Sequence, residues 1–520
     1  MDELEVEPWW EEGGERPLSR RQTTTLMVSV FIIAICGLVY ELIVGTLSSY
    51  LWGNSVTHFS VTIGLFMSAM GVGSWASRWI KGDVLSWFIR VEIAIGVVGG
   101  SSAFLLYSVF ATTQWYYVVM VLVILWVGGC VGLEIPLLTE LAGGARSLRE
   151  TLSNVLAFDY LGALLGAVLF PIVLLPYLGL LQTAFAIGLL NMGVAITIIA
   201  VFWDRLGWRG PRLLVTALGA MVLLLSGAVY ANELTSIFER QLYEDEIIYT
   251  AQTPYQRIVM TRWRDDVRLF LDGNLQFSLM DEYRYHETLV HPAMGFSASR
   301  ERVLVLGGGD GLVVRELLQY DDVREVVLVD IDPAITLLAQ EHPTLREANG
   351  DALRDERVVV VNGDAYKYLE ENQNLFGVII MDLPDPNNES LGKLYSQAFY
   401  TLLKRNLGVG GVAVSQATSP YFAREAYWSI VTTMEAAGWE TIPYHVYVPS
   451  FGDWGFVLMT ERPLPDLSLN LLVSTRYLDD EVWTVAQTFD ADSDRVPVEV
   501  NRLDTQILLR YYEQGWRQWR

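Results

Sequence analysis

Two shortages limit what this chain can be. Only two of its 520 residues are cysteines, Cys36 and Cys130, and both lie in apolar runs. This excludes a disulfide-rich secreted module and favours two small hydrophobic side chains in a core. Basic residues are also few, 36 against 60 acidic ones, which excludes a basic nucleic-acid-binding protein. Because 52% of the residues are hydrophobic and only 18% are charged, a disordered polypeptide is excluded as well.

The low charge content and the net charge of −24 belong to different parts of the chain. Residues 1–240 carry −5 of that charge, whereas residues 241–520 carry −19. Length alone allows about three domains of roughly 150 residues. We therefore expect an apolar N-terminal part that is joined to an acidic, soluble part.

The apolar part contains seven runs of membrane-spanning length. Each has close to the ~20 residues that a helix needs to cross about 30 Å of hydrocarbon. Arginine and lysine occur only in alternate loops, which predicts a multi-pass protein of the cell membrane with a cytoplasmic N-terminus. Seven crossings would place the acidic part outside the cytoplasm unless one run is re-entrant, and the sequence leaves both possibilities open. The runs are 26–47, 58–79, 88–111, 115–138, 155–177, 181–203 and 213–231.

Four acidic residues lie inside these runs, where a charge costs roughly 2.5–3.5 kcal/mol on insertion scales. Glu41, Glu134 and Asp159 fit either a cation site between helices or hydrogen bonds between helices. Glu92 lies close to Arg90, so we expect its side chain to reach the aqueous interface near a helix end.

In the acidic part, short strands come first and buried strands follow. Four β-branched segments and a helix over 281–294 predict a small β unit. From residue 302, fully apolar strands alternate with helices, which predicts a doubly wound, mostly parallel α/β sheet of the Rossmann-like, class I methyltransferase type. The expected domains are an acidic cytoplasmic leader (1–24), a transmembrane helical domain (25–232), a small β domain (240–297), the α/β domain (298–465) and a C-terminal helical extension (466–520).

The ends of these strands carry polar groups, where ligands of such sheets bind. The glycine-rich turn 307–311 allows close approach of the backbone to a ligand. Asp310 within that turn would repel a pyrophosphate and favours a cationic ligand such as a sulfonium nucleoside. Asp330 ends the second strand, where a carboxylate binds ribose hydroxyls.

Two further strand ends add acceptors and a donor. Asp364 can accept from an adenine amino group, and the Ala365 N–H can donate to the ring. Asp382 and Asp385 lie three residues apart in a segment with two prolines. Two acids at the edge of a nucleoside site suit the binding and deprotonation of an amine, although taken alone they equally fit a solvated turn.

On these residues, the acidic part resembles the spermidine synthase family of polyamine aminopropyltransferases over about 250–465. The apolar part resembles the multi-pass extension of a membrane-bound bacterial branch of that family. The blocks that carry the resemblance are Tyr255-Gln256, Asp272-Gly273 with Gln276, Asp281-Glu282, Tyr285-His286-Glu287, His291-Pro292, Gly307 to Gly311, Val329 to Pro333, Gly363-Asp364-Ala365, Asp382 to Pro386, Gln416 and Trp454-Gly455-Phe456.

The resemblance implies an aminopropyl transfer from decarboxylated S-adenosylmethionine, a co-substrate, to a polyamine, with release of methylthioadenosine and with no prosthetic group or metal. It implies Asp382 as the general base, assisted by the Tyr285 hydroxyl. It further implies that Gln256, Gln276, Gly307, Gly309, Asp310, Asp330, Asp364 and Ala365 bind the co-substrate, and that His286, Asp310, Asp385 and Gln416 bind the amine. For His286, a helix-capping or packing role is the alternative. The expected partners are these small molecules, a lipid bilayer and further copies of the chain in a dimer or tetramer, but no nucleic acid.

Several positions depart from the family pattern. Asp330 stands where a glutamate is common, Leu312 where a further glycine is common, and Phe451 near a usual tyrosine. The segment from Asp382 to Asp385 lacks two usual hydroxyls. These departures concern the acceptor amine more than the reaction, so putrescine is the default and cadaverine or spermidine is an alternative. An S-adenosylmethionine-dependent methyltransferase and a polyamine-binding membrane sensor or transporter are the other functions considered.

Overall fold

The computed structural model describes residues 18–52, 55–113, 115–142, 148–231, 233–234, 243 and 245–519. Most of the predicted acidic leader therefore lies outside the described residues. The chain divides into two compact units, residues 1–244 and residues 245–520. The predicted small β domain and the α/β domain thus belong to one unit.

The N-terminal unit is helical. Among the described residues, six helical stretches are long and apolar enough to cross a membrane, judged by length and composition, and the longest of them has 53 residues. Both cysteines are free, as predicted. The helices are α1 (Arg20–Trp52), α2 (Ser55–Ala76), α3 (Val84–Gly100), α4 (Ser102–Thr112), α5 (Tyr116–Ala142), α6 (Leu148–Leu169), α7 (Leu175–Val201), α8 (Trp203–Leu206) and α9 (Gly210–Val229).

The 53-residue helical stretch, Arg149–Val201, turns back on itself. The Thr183 hydroxyl donates to the Leu174 carbonyl at 3.2 Å, whereas nine residues of straight helix would separate these positions by about 13 Å. Gly179 between them has a non-helical φ of 72°. This one stretch therefore contains both predicted runs 155–177 and 181–203, and the six long helices account for all seven runs.

The surface of this unit is apolar, whereas its interior contains acids. Val215 and Val222 are 70% and 67% exposed, but Glu92 is 0% exposed. The prediction that Glu92 reaches the interface is therefore wrong. Because α3 begins at Val84, Glu92 lies in the middle of the helix rather than near its end, and its carboxyl faces Glu134 of α5.

The C-terminal unit begins with an antiparallel sheet in the order β1-β2-β3-β4, which confirms the four predicted strands. The strands are β1 (Glu246–Gln252), β2 (Arg257–Trp263), β3 (Asp266–Leu271) and β4 (Asn274–Ser278). Ile258 and Phe277 of this sheet share a core with Leu312 and Ile335 of the following α/β region. A four-stranded sheet with one apolar face needs such a partner, which is why the β unit is not a separate domain.

The second sheet has seven strands in the order β10-β11-β9-β8-β5-β6-β7. Strands β5 to β9 are parallel, as predicted, and their carboxyl ends bring Gly307, Asp330 and Asp382 to one edge. The two antiparallel strands that extend the sheet beyond β9 were not predicted. The strands are β5 (Arg302–Gly307), β6 (Glu325–Asp330), β7 (Val358–Asn362), β8 (Phe376–Asp382), β9 (Leu407–Gln416), β10 (Glu440–Val448) and β11 (Gly452–Thr460).

Helices cover both faces of this sheet, and the C-terminal extension adds two more. The extension is less helical than predicted, because its two helices, Asp480–Ala486 and Ile507–Arg517, are separated by a non-helical stretch that contains Pro497. Its last helix packs Leu508 and Tyr512 into the core of the α/β region. The principal helices are α10 (Glu282–Phe296), α11 (Leu312–Leu317), α12 (Pro333–Glu341), α13 (Pro343–Asn349), α14 (Ala365–Glu371), α15 (Glu389–Gly392), α16 (Gln397–Arg405), α17 (Arg424–Ala436), α18 (Asp480–Ala486) and α19 (Ile507–Arg517).

Candidate active site

The glycine-rich turn after β5 is held against two neighbouring strand ends. The Gly308 N–H donates to the Asp382 carbonyl at 3.1 Å, and the Gly309 N–H donates to Asp330 Oδ2 at 3.1 Å. A Cβ at Gly307, whose φ is 80°, would lie 2.0 Å from the Asp382 carbonyl oxygen, and one at Gly309 would lie 2.6 Å from Asp330 Oδ2. Both positions therefore require glycine for packing within the turn, before any ligand is considered.

Asp330 connects this turn to the end of β6. Besides the Gly309 N–H, it accepts from the Asp332 N–H, through Oδ1 at 2.9 Å. Burial raises the pKa of Asp330 to about 6. Since each carboxylate oxygen has a second lone pair, both oxygens can still accept from a ligand.

Asp382 lies beside a tyrosine hydroxyl. Tyr285 of α10 donates to Asp382 Oδ1 at 2.7 Å. Burial raises the pKa of Asp382, and this effect is opposed by the charge of His286 and by the Tyr285 hydrogen bond. Burial also raises the pKa of Asp310 to about 6, where His286 lowers it and Asp382 raises it. The three expected site residues Tyr285, Asp310 and Asp382 are thus brought together.

His286 supplies a buried positive charge among these acids. Its Nδ1 donates to Glu282 Oε2 at 2.7 Å, and it is 2% exposed. Burial alone would lower its pKa, but the hydrogen bond and charge of Glu282 raise the pKa of His286 to about 9. Arg315 in turn donates to both Glu282 oxygens at 2.9 Å. His286 is therefore an imidazolium at neutral pH and not merely a packing residue.

Sequence reasoning assigned no role to Glu282 or Arg315. The available signal was the spacing of Glu282 and His286, four residues apart on one helix face. Arg315 lies 33 residues further along the chain on α11, and no local pattern links it to them.

Asp385 lies beyond Asp382 in the same segment. The Thr418 hydroxyl donates to its Oδ2 at 3.1 Å, and the Tyr512 hydroxyl of α19 is a further hydrogen-bond partner of the carboxyl. Within the part of the chain that the structure describes, no donor reaches the buried Oδ1. Burial raises the pKa of Asp385 to about 6. Tyr512 was not predicted, because nothing in the sequence of the extension places it near residue 385.

Gln416 is hydrogen-bonded to the segment that carries Asp385. Its Nε2 donates to the Leu383 carbonyl and to the Tyr395 hydroxyl, each at 2.6 Å. Its Oε1 accepts from the Thr418 N–H at 3.0 Å. Gln416 therefore helps to position the segment, and its expected contact with the amine stays a prediction.

Asp364 and Ala365, which were expected to bind the adenine, lie at the start of α14. Asp364 caps α14 by accepting from the Tyr366 N–H at 2.8 Å, and it accepts from Lys393 Nζ at 2.6 Å. Burial opposes the charge of Asp364, but the Lys393 hydrogen bond keeps its pKa below the ordinary value. Ala365 is the first residue of α14 and is buried.

Two glutamines come from the antiparallel sheet. Gln256 donates to Asp332 Oδ2 at 3.0 Å, which places it beside the end of β6. Gln276 donates to the Asn274 carbonyl at 3.1 Å, within its own turn. Gln256 was expected to act with Asp310, and Gln276 with Asp330. Neither of these two hydrogen bonds involves those acids.

One family model and three known proteins are similar to this chain. A family model described as the spermine/spermidine synthase domain matches residues 282–470. The chain is 47% identical over 498 residues to a polyamine aminopropyltransferase of Leptospira interrogans, covering 95% of this chain and 99% of that protein. It is 44% identical over 514 residues to polyamine aminopropyltransferase 2 of Ralstonia nicotianae, again covering 95% and 99%. A solved spermidine synthase of Thermotoga maritima overlaps 47% of this chain and 85% of its own, at 24% identity and a TM-score of 0.43.

The charge of His286 can be measured directly. In a histidine NMR titration we expect one of the five histidines to titrate with a pKa of about 9 and to disappear in His286→Gln. In Glu282→Gln this pKa should fall, because the hydrogen bond and charge of Glu282 are lost and only the charges of Asp310 and Asp382 still oppose the effect of burial. His342, whose pKa burial lowers, serves as the control that neither substitution changes. An unchanged His286 titration in Glu282→Gln would contradict the assignment.

Proposed function

Because the chain belongs to the polyamine aminopropyltransferase family and is an enzyme of that family, we propose the reaction in detail. The enzyme transfers the aminopropyl group of decarboxylated S-adenosylmethionine to a diamine, putrescine by default, and releases methylthioadenosine. The observation that carries this proposal is the group of buried acids around one imidazolium, which suits two cationic substrates.

Asp382 is the general base of this proposal. A protonated amine has no free electron pair, so it must lose a proton before it attacks. The burial that raises the pKa of Asp382 strengthens this base, and the Tyr285 hydroxyl holds Oδ1 in place at 2.7 Å. The neutral amine then forms a C–N bond at the aminopropyl carbon. The C–S bond breaks, and its electron pair leaves the sulfonium as the neutral thioether of methylthioadenosine.

Asp385 binds the other end of the diamine. Its buried Oδ1 has no donor among the described residues, and a second ammonium group supplies one. Buried acceptors without a partner cost about 1–3 kcal/mol, so this oxygen favours a ligand that ends in a cation. Asp310 adds negative charge beside Asp382 and attracts the same substrate.

The co-substrate lies across the strand ends. Asp330 accepts from the ribose hydroxyls through its remaining lone pairs, and the Ala365 N–H and Asp364 meet the adenine. Gly307 and Gly309 let the turn pack against Asp382 and Asp330, and in this proposal the sulfonium lies beside these acids. Gln276 and Gln256 border the same edge from the antiparallel sheet.

The N-terminal unit lies in a lipid bilayer in this proposal. This unit has six long apolar helical stretches among its described residues. Its surface is apolar, as at the exposed Val215 and Val222, whereas its interior contains buried acids. An exposed apolar surface of this extent is unusual for a protein in water.

Asp382→Asn tests the general base. We expect turnover to fall by about 10²–10⁴-fold, because the amide cannot accept the amine proton. Binding of methylthioadenosine, measured by calorimetry, should stay within about twofold, because the shape of the site is retained. Asp351→Asn is the matched control, since Asp351 is exposed and the amide tolerates its left-handed backbone. Normal turnover in Asp382→Asn would refute the assignment.

Tyr512→Phe tests the contribution of the C-terminal helix to amine binding. Loss of one hydrogen bond to Asp385, worth roughly 0.5–1.5 kcal/mol, should raise the KM for the amine by about two- to tenfold. We expect kcat and the KM for decarboxylated S-adenosylmethionine to change little. Tyr511→Phe on the same helix is the control, because its hydroxyl contacts the Glu499 N–H instead. If both variants behave alike, Tyr512 does not act through Asp385.

A further inference from the structure

Helix α10 carries a site residue on one face and a buried carboxylate on the opposite face. Tyr285, whose hydroxyl donates to Asp382 Oδ1 at 2.7 Å, lies two residues before Glu287. Because an α-helix turns by about 100° per residue, these two side chains point about 200° apart around its axis. Glu287 is 4% exposed, and no step of the proposed reaction uses it. A buried carboxylate is costly unless it is hydrogen-bonded, so its partners indicate its role.

The Glu287 carboxylate binds three successive backbone N–H groups of the C-terminal extension. Arg476 donates to Oε1 at 2.7 Å, and Tyr477 and Leu478 donate to Oε2 at 2.8 Å and 2.9 Å. Successive N–H groups that point to one anion form an anion-binding concavity, and hydrogen bonds to an ionised acceptor are about twice as strong as neutral ones. These bonds attach the face of α10 opposite Tyr285 to the extension.

The extension is fixed at this point by contacts of its own. The Thr475 hydroxyl donates to the Leu478 carbonyl at 2.5 Å, which closes the turn that presents the three N–H groups. Trp483 is 1% exposed in the core of the α/β region, and its Nε1 donates to the Leu467 carbonyl at 2.8 Å. Because these contacts hold the turn without Glu287, the carboxylate transfers the fixed position of the turn to α10.

Two cation–π contacts flank these hydrogen bonds. The Arg284 guanidinium lies 4.5 Å from the centre of the Tyr477 ring, and the Arg476 guanidinium lies 3.8 Å from the centre of the Tyr283 ring. None of these four side chains is buried, and cation–π contacts that remain hydrated are weak. The buried carboxylate is therefore the stronger constraint on the rotation of α10 at this face.

We propose that Glu287 is a positioning residue for aminopropyl transfer. By fixing the rotation of α10, it holds the Tyr285 hydroxyl against Asp382. A small rotation of the helix moves this hydroxyl more than the backbone, because it lies at the end of a long side chain and far from the helix axis. The inference rests on the proposed function, in which Asp382 accepts the proton of the amine.

Glu287→Gln tests this role. An amide has one acceptor oxygen and an NH₂ group, so at least one backbone N–H would face a donor. We expect kcat to fall by about ten- to hundredfold, as it does when a catalytic group is misplaced. The KM values of the amine and of decarboxylated S-adenosylmethionine should stay within about twofold, because Glu287 binds neither. An unchanged kcat would overturn the proposal.

Asp479→Asn is the matched control, because it makes the same change of carboxylate to amide one residue after Leu478. Asp479 is exposed and caps α18 by accepting from the Val482 N–H at 2.7 Å. Asparagine caps a helix about as well as aspartate, so kcat should not change. A loss of kcat equal to that of Glu287→Gln would mean that any such change near this turn reduces turnover, and would contradict a specific role of Glu287.

A double-mutant cycle with Tyr285→Phe separates positioning from a general loss of structure. If Glu287 acts through the Tyr285 hydroxyl, Glu287→Gln should reduce kcat by less than about twofold once that hydroxyl is absent, because the two changes remove the same interaction. An equal reduction of kcat with and without the hydroxyl would show that Glu287 acts independently of Tyr285, and would contradict the proposal.

Arg476→Pro tests the same contact from the side of the extension. Proline removes one N–H donor to Glu287, whereas Arg476→Ala keeps this N–H and removes only the contact with the Tyr283 ring. We expect kcat to fall several-fold more in the proline variant than in the alanine variant. Equal values in the two variants would contradict a role for these hydrogen bonds.

Binding of methylthioadenosine separates the possible failures. In Glu287→Gln its affinity, measured by calorimetry, should stay within about twofold of the parent. A loss of binding would show that Glu287 maintains the fold, and would overturn the positioning role. If the parent forms no methylthioadenosine with any diamine, the proposed function fails. If the parent does so and Glu287→Gln matches it, only the positioning role fails.

Discussion

The positive charge of His286 is the constraint on which the rest of the site depends. Asp310 and Asp382 are buried at the ends of parallel strands, where their charges have lost most of their hydration. His286 is the cation that faces both, and Glu282 keeps it protonated while Arg315 keeps Glu282 ionised. Arg315, Glu282 and His286 thus form a chain of alternating charges that stabilises the buried acids without a ligand. Asp385 Oδ1 is left available to accept a hydrogen bond from a ligand.

Buried acids occur in both units. In the C-terminal unit, an imidazolium compensates them, so a cationic substrate adds to a site that is already partly neutralised. In the N-terminal unit, the described titratable groups near the buried Glu92 and Glu134 are acids and neutral groups. The first arrangement suits chemistry on an amine.

Local patterns predicted most of the fold and the acids of the site. Segments rich in β-branched residues indicated β1 to β4, and apolar runs that end in Gly307, Asp330 and Asp382 indicated the parallel sheet. The error at Glu92 came from long-range packing. Glu92 was expected at the interface because Arg90 is near it in sequence, but contacts between helices bury it. Arg315 and Tyr512 reach the site through contacts between distant helices, which no local pattern encodes.

We propose that the pocket is a set of buried, partly protonated acids that becomes fully charged when a cationic amine binds. Calorimetry of putrescine binding to the methylthioadenosine complex near pH 6, in two buffers of different ionisation enthalpy, tests this directly. Because burial raises the pKa values of Asp310 and Asp385 to about 6, an added ammonium should lower them and release protons. We expect a binding enthalpy that differs between the buffers, and equal enthalpies would contradict this release of protons.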